Sequence, residues 1–520
     1  MAVSTKIDSN ITGLRAAEEA SLGVLPAAAS QRWVEQEPNS YADFGGNITT
    51  VARNPINPGR QRKKGVVTNV EATAGFNADL TQTNFQDMLR GFFYANYRSK
   101  QEFTGVQTVS APANTYGATG IGTGYFVGDL LFASGYTNTA NNGLKRLTTV
   151  AANLLTVAET LVAETSPATA KLVAVGYQGA SGDLTMTNSG SAFPVLGSTT
   201  KDLTQLGLIP GEWIYIGGDA TSDKFATAAN NGFARVRSVT TNAITLDKTQ
   251  ATTVTDNGAS KTIRIFKGRV LKNEIGTSIV RRSYTLERTL GVSDPAQPTL
   301  EQAQYVSGAV PNEFTLNMAS ADKIVCDLAF IATNSSTIDE VVSGANTLLS
   351  KVASVVRVPV VEADAFNTSS DFSRIRLSTV STTSGFPNPL FTYSEEATIT
   401  LNNNNSPNNA LGVLGAFEVT AGTFEVGGNI TAYFGDVASI AAVRNNSDIT
   451  LDMILVKANA GIAIDIPLLS LGGGLPNVEQ DQPVTIPLEL NAATAAKISS
   501  TLNHTLLMVF FDYLPNAADL

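Results

Sequence analysis

The chain has 520 residues, with 35 basic and 45 acidic side chains for a formal net charge of -10, and one histidine and one cysteine. A lone His504 and a lone Cys326 exclude a His/Cys zinc site, a Cys-His pair with its supporting shell, and a disulfide. The acidic balance argues against tight wrapping of nucleic acid, which needs clustered Lys and Arg to displace counterions.

Hydrophobic residues make up 43% of the chain, enough to build real cores, and the length suggests about three to four domains. Residues 1–40 read as an arm. A short helical turn at 16–22 and an extended path are equal alternatives, because Pro26 and Pro38 break what surrounds them. No basic segment followed by an apolar core opens the chain, so no secretory signal is expected. The apolar run LLMVFF (506–511) is far short of the roughly 20 residues that span a bilayer.

From residue 48 the apolar period is two. VVTNVEATAGFNADL (66–80) places Val70, Ala72, Ala74, Phe76, Ala78 and Leu80 on one face and Glu71, Thr73, Asn77 and Asp79 on the other, the pattern of a half-buried strand. Asn84 offers an N-cap oxygen. Phe85, Met88, Leu89, Phe92 and Phe93 follow at helical spacing, so 85–96 is expected to be an amphipathic helix.

A repeat occupies the next stretch. Gly128-Asp-Leu-Leu-Phe matches Gly211-Glu-Trp-Ile-Tyr, and ANNG occurs at 140–143 and again at 229–232. LKRLTTVAANLLTV (144–157) aligns without a gap on FARVRSVTTNAITL (233–246). Strand, hairpin and Asn turn in this order predict a small antiparallel barrel twice over, at about 120–180 and 205–268. The pair reads as an insertion, which a fold tolerates because loop closure costs grow slowly with length. The Gly run GATGIGTGYFVGD (117–129) lacks the strand before it and the helix after it that a phosphate loop requires, and reads as a flexible linker into the insertion.

The remainder is strand-rich: 278–290, 313–318, 396–402, 447–458, 463–471, 484–490 and 506–514. A helix is expected at 338–354 from Ile338, Val341, Val342, Leu348, Leu349 and Val352. GTFEVGGNITAYF (422–434) repeats the strand of 66–80. Phe424, Val426, Ile430, Ala432 and Phe434 share one face, and Thr423, Glu425, Asn429 and Thr431 the other. Without a gap, Asp436 falls opposite Asn84, and Val437, Ile440 and Ala441 opposite Phe85, Met88 and Leu89, which suggests a duplicated strand–cap–helix unit.

Little here carries chemistry. His504 has no sequence neighbour that marks an orienting partner or nucleophile, so it reads as a structural histidine, and Cys326 as a small buried hydrophobe. Glu395-Glu396 and the scattered Asp residues show no acid–base spacing. No catalytic residue, cofactor or metal site is expected. The sharpest charge feature is RNPINPGRQRKKG (53–65), with Arg53, Arg60, Arg62, Lys63 and Lys64. Bracketed by strands, it projects either as a docking element for an acidic surface or as a solvated hairpin loop.

The order of several segments resembles the major tail tube proteins of long, non-contractile-tailed bacteriophages. They are RWVEQEPNS (32–40), the basic hairpin, the 66–80 strand with its helix, and SYTLERT (283–289), which is similar to the family's S-x-T-x-E-R segment. YVSGAVPNEFTLNM (305–318), ATITLNNN (397–404), 422–436 and 461–490 follow. The resemblance implies a mainly β chain with a few short helices: two tube modules of β-sandwich or half-barrel type plus the two inserted barrels. The implied divisions are an arm (1–40), a first module (41–104 and 269–355) interrupted by the insertion (105–268), and a second module (356–520).

It also implies a virion structural protein of the tail, assembled in the host cytoplasm. Such proteins stack as rings into a conduit through which DNA passes unbound. The partners are further copies, in trimeric rings with pseudo-sixfold symmetry or in hexameric ones, and the tape measure, terminator and baseplate proteins. No membrane is involved. Glu71, Thr73, Asn77, Asp79, Thr423, Glu425, Asn429 and Thr431 are then the lumen candidates, and the loop 53–65 the ring-stacking candidate. The insertion becomes a surface decoration. The competing expectation is a virion decoration or adhesin-like protein whose inserted domains bind glycans, with Trp213 or Tyr215 lining the site.

Overall fold

The structure, a computed structural model, describes residues 7, 9–56, 58–98, 100–190, 192–292, 300–339, 347–381, 385–387, 389–391 and 393–519. The chain is mainly β, with two seven-residue α-helices, Gln86–Phe92 and Ala438–Arg444, among the described residues. Two units result, each assembled from three stretches of sequence.

Unit one takes residues 1–95, 276–368 and 395–430. Its centre is a set of antiparallel strands. Pro38–Arg53 pairs with Lys63–Asp79, which pairs with Val325–Ala332, then Glu301–Ala319, then Ser394–Asn402. Alternation sorts each strand into two faces. Ala72, Ala74, Phe76, Ala78, Phe314, Leu316, Met318, Cys326, Leu328, Phe330, Ala397, Ile399 and Leu401 are buried on one of them. The short helix closes that side with Phe85, Met88, Leu89 and Phe92. The Phe92 ring lies 5.3 Å from Phe330 and 5.9 Å from Phe314, the separations of favourable tilted aromatic contacts.

The SYTLERT segment acquires a physical meaning here. Thr285 Oγ1 donates to the buried Glu19 carboxylate at 2.7 Å, as does Gly308 N–H at 2.8 Å, and Ser283 Oγ donates to the other Glu19 oxygen. The fully buried Glu287 accepts from Tyr305 Oη at 2.8 Å, Ser350 N–H at 3.1 Å and Arg15 Nη1 at 3.2 Å. Arg288 lies over the Phe44 and Tyr41 rings. Ser283, Thr285 and Glu287 thus pair buried polar groups, which are costly to leave unpaired.

Unit two takes residues 96–275, 369–394 and 431–520. The two repeats share their internal hydrogen bonds. Asn142 and Asn231 each accept from the residue six earlier (Tyr136 and Phe225 N–H) and donate back to its carbonyl. Asn141 exchanges two bonds with Val162, and Asn230 two with Val254. Asp129 and Glu212 each accept from the N–H three residues before.

The repeats do not close into separate barrels. Lys171–Gln178 of the first pairs with Arg264–Phe266 of the second, through Gly176↔Phe266, Tyr177↔Ile265 and Gln178↔Arg264, so among the described residues both belong to one open 14-stranded sheet. A terminal strand in each repeat was free to pair, and pairing removes an exposed edge.

This sheet packs on a second set of strands. Phe372–Thr379 pairs with Ile449–Lys457, then Ala460–Gly473, which pairs with both Thr485–Ala492 and Leu507–Phe511; the last also pairs with Arg269–Lys272. One buried cluster joins Trp213, Tyr215, Phe233 and Phe266 to Ile454, Val456, Leu507, Val509, Phe511 and Leu514.

Several local expectations are corrected. Residues 16–18 belong to the strand Gly13–Glu18, paired with Arg32–Gln36 and Tyr284–Val292, not to a helical turn. Asn84 does not cap the helix. It folds back on the preceding turn, accepting from Thr81 N–H at 3.0 Å and donating to Asp79 C=O, while Phe85 takes the N-cap place at φ 37°. Asp436 does accept from the first turn, from Ala438 N–H at 3.2 Å.

In the helix expected at 338–354, Val341 and Val342 lie outside the described residues. Ile338 sits in the strand Asn334–Asp339, and Leu349 in a 3-10 turn. The Gly run 117–129 is no linker. Ile121 and Tyr125 are buried in the first repeat, and Gly122 N–H bonds Ala152 C=O.

Candidate functional site

The face of unit one opposite its core carries the candidate polar residues. Glu71 is exposed, and Thr73, Asn77 and Asp79 are partly buried. In the register Asn77↔Asp327, Thr315↔Asp327 and Thr315↔Thr400, neighbouring strands add their own polar side chains to this face. Asn39 Nδ2 donates to Asn77 Oδ1 at 3.2 Å, Asn77 Nδ2 to Asp327 Oδ1 at 2.6 Å, and Asn317 Nδ2 to Asp327 Oδ2 at 2.7 Å. Thr315 and Thr400 hydroxyls lie 3.1 Å apart, and Asn402 Nδ2 donates to Glu313 at 3.1 Å.

The result is a hydrogen-bonded polar stripe across five strands, neutral or acidic at every one of these positions. Lys323 sits at its edge, 2.8 Å from Asp79. Asp327, Asn317, Thr315, Glu313, Thr400 and Asn402 were missed from sequence, although the alternation in EFTLNM and VCDLAF carries them. Glu425 and Asn429 are exposed on the strand Glu425–Tyr433, while Val426 and Ile430 are buried. Thr431 alternates with the buried Ala432. Thr423 precedes that strand, and its carbonyl accepts from Asn404 Nδ2 at 2.9 Å.

The basic segment divides differently from expectation. Arg53 ends one strand and Lys63 and Lys64 begin the next, so the loop proper is 54–62 and holds only Arg60 and Arg62. Pairing with Val325–Ala332 ends at Ala72, beyond which the hairpin continues as a two-stranded ribbon. Ile48, Val51, Val66 and Val67 on the ribbon, and Ile56 at its tip, are exposed. Arg53 lies opposite Lys63, a like-charge cross-strand pair that is destabilising in isolation. None of the five basic side chains makes an ion pair among the described residues. Charge and apolar area therefore project together.

Unit two holds a buried ionic cluster. Asp465 pairs with Arg235 at 3.0 Å and Lys248 at 3.2 Å; Asp452 pairs with Lys248 at 2.9 Å and with Arg374; Asp247 pairs with Arg235 at 2.8 Å. Burial alone would raise the Asp452 pKa, but Arg374, Lys248 and Arg376 outweigh it and hold the carboxyl well below its usual range. The cluster is a structural tie between the 14-stranded sheet and the strands of 449–473. Trp213, under Lys248 and Arg374, and Tyr215 are both buried, so neither offers a glycan platform.

His504 is fully buried against Gly211, whose φ of 91° and contact with the imidazole leave no room for a Cβ. Burial pushes its pKa down to about 3. The unfolded chain, with a pKa of about 6.5, therefore takes up the proton first. Stability is full above that value and falls by up to roughly 1.4 kcal/mol per pH unit on the way down. Melting temperature is expected to drop between pH 7 and pH 5, and His504→Leu to flatten that drop. An unchanged slope in the variant would assign the pH dependence to other groups. Cys326 is buried, and its thiol is pushed up by desolvation.

Comparison with known proteins gives one family, described as "Phage tail tube protein", whose profile matches residues 9–492. No curated protein gives a match. No described helix is long and apolar enough to cross a membrane.

Proposed function

Because the chain belongs to the phage tail tube protein family, and is thus a structural protein of the virion tail, we propose that its rings stack into the conduit for the phage genome. The polar stripe of unit one carries this reading. A conduit must pass DNA without holding it. Affinity for the phosphate backbone comes from Lys and Arg that release counterions, and the stripe has none beyond Lys323 at its edge, which is paired with Asp79. Its amide donors are also spent on Asp327, Asp79 and Asn77, so few remain for phosphate oxygens.

The duplicated-module reading and a trimeric, pseudo-sixfold ring are supported by strand order. After the first helix and the insertion, Tyr284–Val292 pairs with Gly13–Glu18 and with Glu301–Ala319, which pairs with Val325–Ala332. After the second helix, Ile449–Lys457 pairs with Phe372–Thr379 and with Ala460–Gly473, which pairs with Thr485–Ala492. The ribbon with Arg53, Arg60, Arg62, Lys63 and Lys64 is the ring-stacking element. Tape measure, terminator and baseplate proteins are the remaining tail partners.

Negative-stain microscopy followed by helical reconstruction tests the reading. Tubes are expected, with Asn77 and Asp327 on the channel wall; solid particles, or a channel lined by another face, would overturn it. Replacing Arg60, Arg62, Lys63 and Lys64 together with Glu is expected to block polymerisation while leaving folded protomers. Normal-length tubes from that variant would remove the stacking role.

A further inference from the structure

The ribbon of unit one has more than charge to cover. Beyond Ala72 it runs to its turn for roughly 25–30 Å, at about 3.3 Å per residue, with no third strand paired to it among the described residues. Val51 and Val66 lie opposite each other across it, and Ile48 opposite Val70. Val67 takes the other face of its strand from Val66. Ile48, Val51, Val66 and Val67 are each more than half exposed, and Ile56 at the tip is fully so. A two-stranded hairpin alone is marginally stable in water at best, and uncovered apolar sets of this kind mark interaction sites.

Unit two carries a patch of the opposite charge. Residues 474–487 form a hairpin, held by Gly474 N–H on Pro487 C=O at 2.9 Å and Asn477 N–H on Thr485 C=O at 2.7 Å. Gly474 lies against Val443 of the second helix. Phe434 N–H bonds Val484 C=O at 2.9 Å, which brings the start of that helix alongside the hairpin. Leu475 and Val478 on the hairpin, and Val437 at the helix start, are each about two-thirds exposed or more. Asp436, Glu479 and Asp481 are exposed with them. None of the three carboxylates makes an ion pair among the described residues. Arg444 is the one basic residue in 431–444 and 474–487.

The two surfaces match in kind. On the ribbon, unpaired cations sit among uncovered Ile and Val; at the corner, unpaired carboxylates sit among uncovered Leu and Val. A chain of net charge -10 offers acid in many places, but the corner joins it to apolar area. The other uncovered apolar turn, with Leu411, Val413, Leu414 and Phe417, has Glu418 as the one acid of its hairpin, 406–420. Exposed ion pairs add little affinity singly. Matched fields steer the encounter and fix its register, while apolar area removed from water supplies the affinity.

We propose that this corner of unit two, through Val437, Leu475, Val478, Glu479 and Asp481, receives the ribbon of a second copy of the chain. The inference rests on the stacking role proposed for the ribbon and deepens it by naming the surface on which the ribbon lands.

The test mixes two full-length chains, one carrying Ile56→Cys and the other Val478→Cys, and treats the assembled material with a short bismaleimide. Cys326 is buried and its thiol pushed up by desolvation, so the introduced thiols are the reactive ones. A covalent dimer is expected from the mixture and none from either chain alone. Tubes that give no such band, or that link only when Leu411→Cys replaces Val478→Cys, would overturn the dock and leave the ring reading standing. Charge reversal is the second arm. Glu479→Lys plus Asp481→Lys is expected to cut the assembled fraction by roughly tenfold or more, with the melting temperature of the protomer unchanged. Adding Arg62→Glu and Lys64→Glu to the same chain is expected to restore most of the loss. A corner variant that assembles like the parent, or a combined variant that is not restored, would count against the dock alone. A parent chain that never assembles would sink the dock and the ring reading together.

Discussion

A chain lacking residues 105–268 is expected to lose unit two and to accumulate as protease-sensitive or insoluble protein. The deletion removes Trp213, Tyr215, Phe233 and Phe266 from a shared core. Ile454, Val456, Leu507, Val509, Phe511 and Leu514 would then face water. Four large side chains contribute roughly 6–12 kcal/mol at about 1.5–3 kcal/mol each, against a net stability of roughly 5–15 kcal/mol for a whole domain. The same cut removes Arg235, Asp247 and Lys248, leaving Asp465 without either of its buried cations. Limited proteolysis and circular dichroism are the measurements. A soluble deletion protein that unfolds cooperatively and forms tubes would show the insertion to be a removable decoration after all.

The second large effect is expected at Asp452. Asp452→Asn leaves Lys248 and Arg374 buried without their shared counter-charge, and breaking a buried pair in this way typically costs about 3–5 kcal/mol. The denaturation midpoint should fall sharply with little change in slope. A loss below about 1 kcal/mol would mean that the remaining aspartates compensate. Acid should act on the parent in the same direction. The folded-state pKa of Asp452 is depressed, so its contribution is complete above the unfolded value of about 3.9 and fades as pH falls toward the folded one.

Much of the polar face was legible because strand alternation is a local rule. In 71–79 every side chain goes to the face its parity assigns, and Phe76 and Asn77 sit on opposite sides as the period demands, whereas in 66–70, on the ribbon, both faces are open. The Asn pair of each repeat was equally legible, since Asn141–Asn142 and Asn230–Asn231 make local turns with the same bonds. What could not be read was long-range choice. Whether Lys171–Gln178 closes its own barrel or pairs with Arg264–Phe266 depends on two strands far apart in sequence. Asn84 suits a cap, but a competing bond to Asp79 C=O takes it. The helical spacing from Ile338 gave way to a strand at 334–339 because Glu301–Ala319 offers that segment a partner. The insertion looked separable because its repeat is complete in sequence; its outer face is apolar for a reason found only in residues 449–514.

That last dependence has a consequence for biosynthesis. The strand Leu507–Phe511 pairs with Arg269–Lys272 and with Ala460–Gly473, and it supplies part of the cover over Phe233. On the ribosome, residues 213–266 emerge long before their cover does. At about 5–20 residues per second, the interval is roughly 10–50 s. During it the nascent chain displays an aromatic surface with no native partner, and many such chains are made side by side in an infected cell. Chaperone demand should therefore track the translation of the last quarter of the message, and slowing that quarter should raise aggregation more than slowing the first.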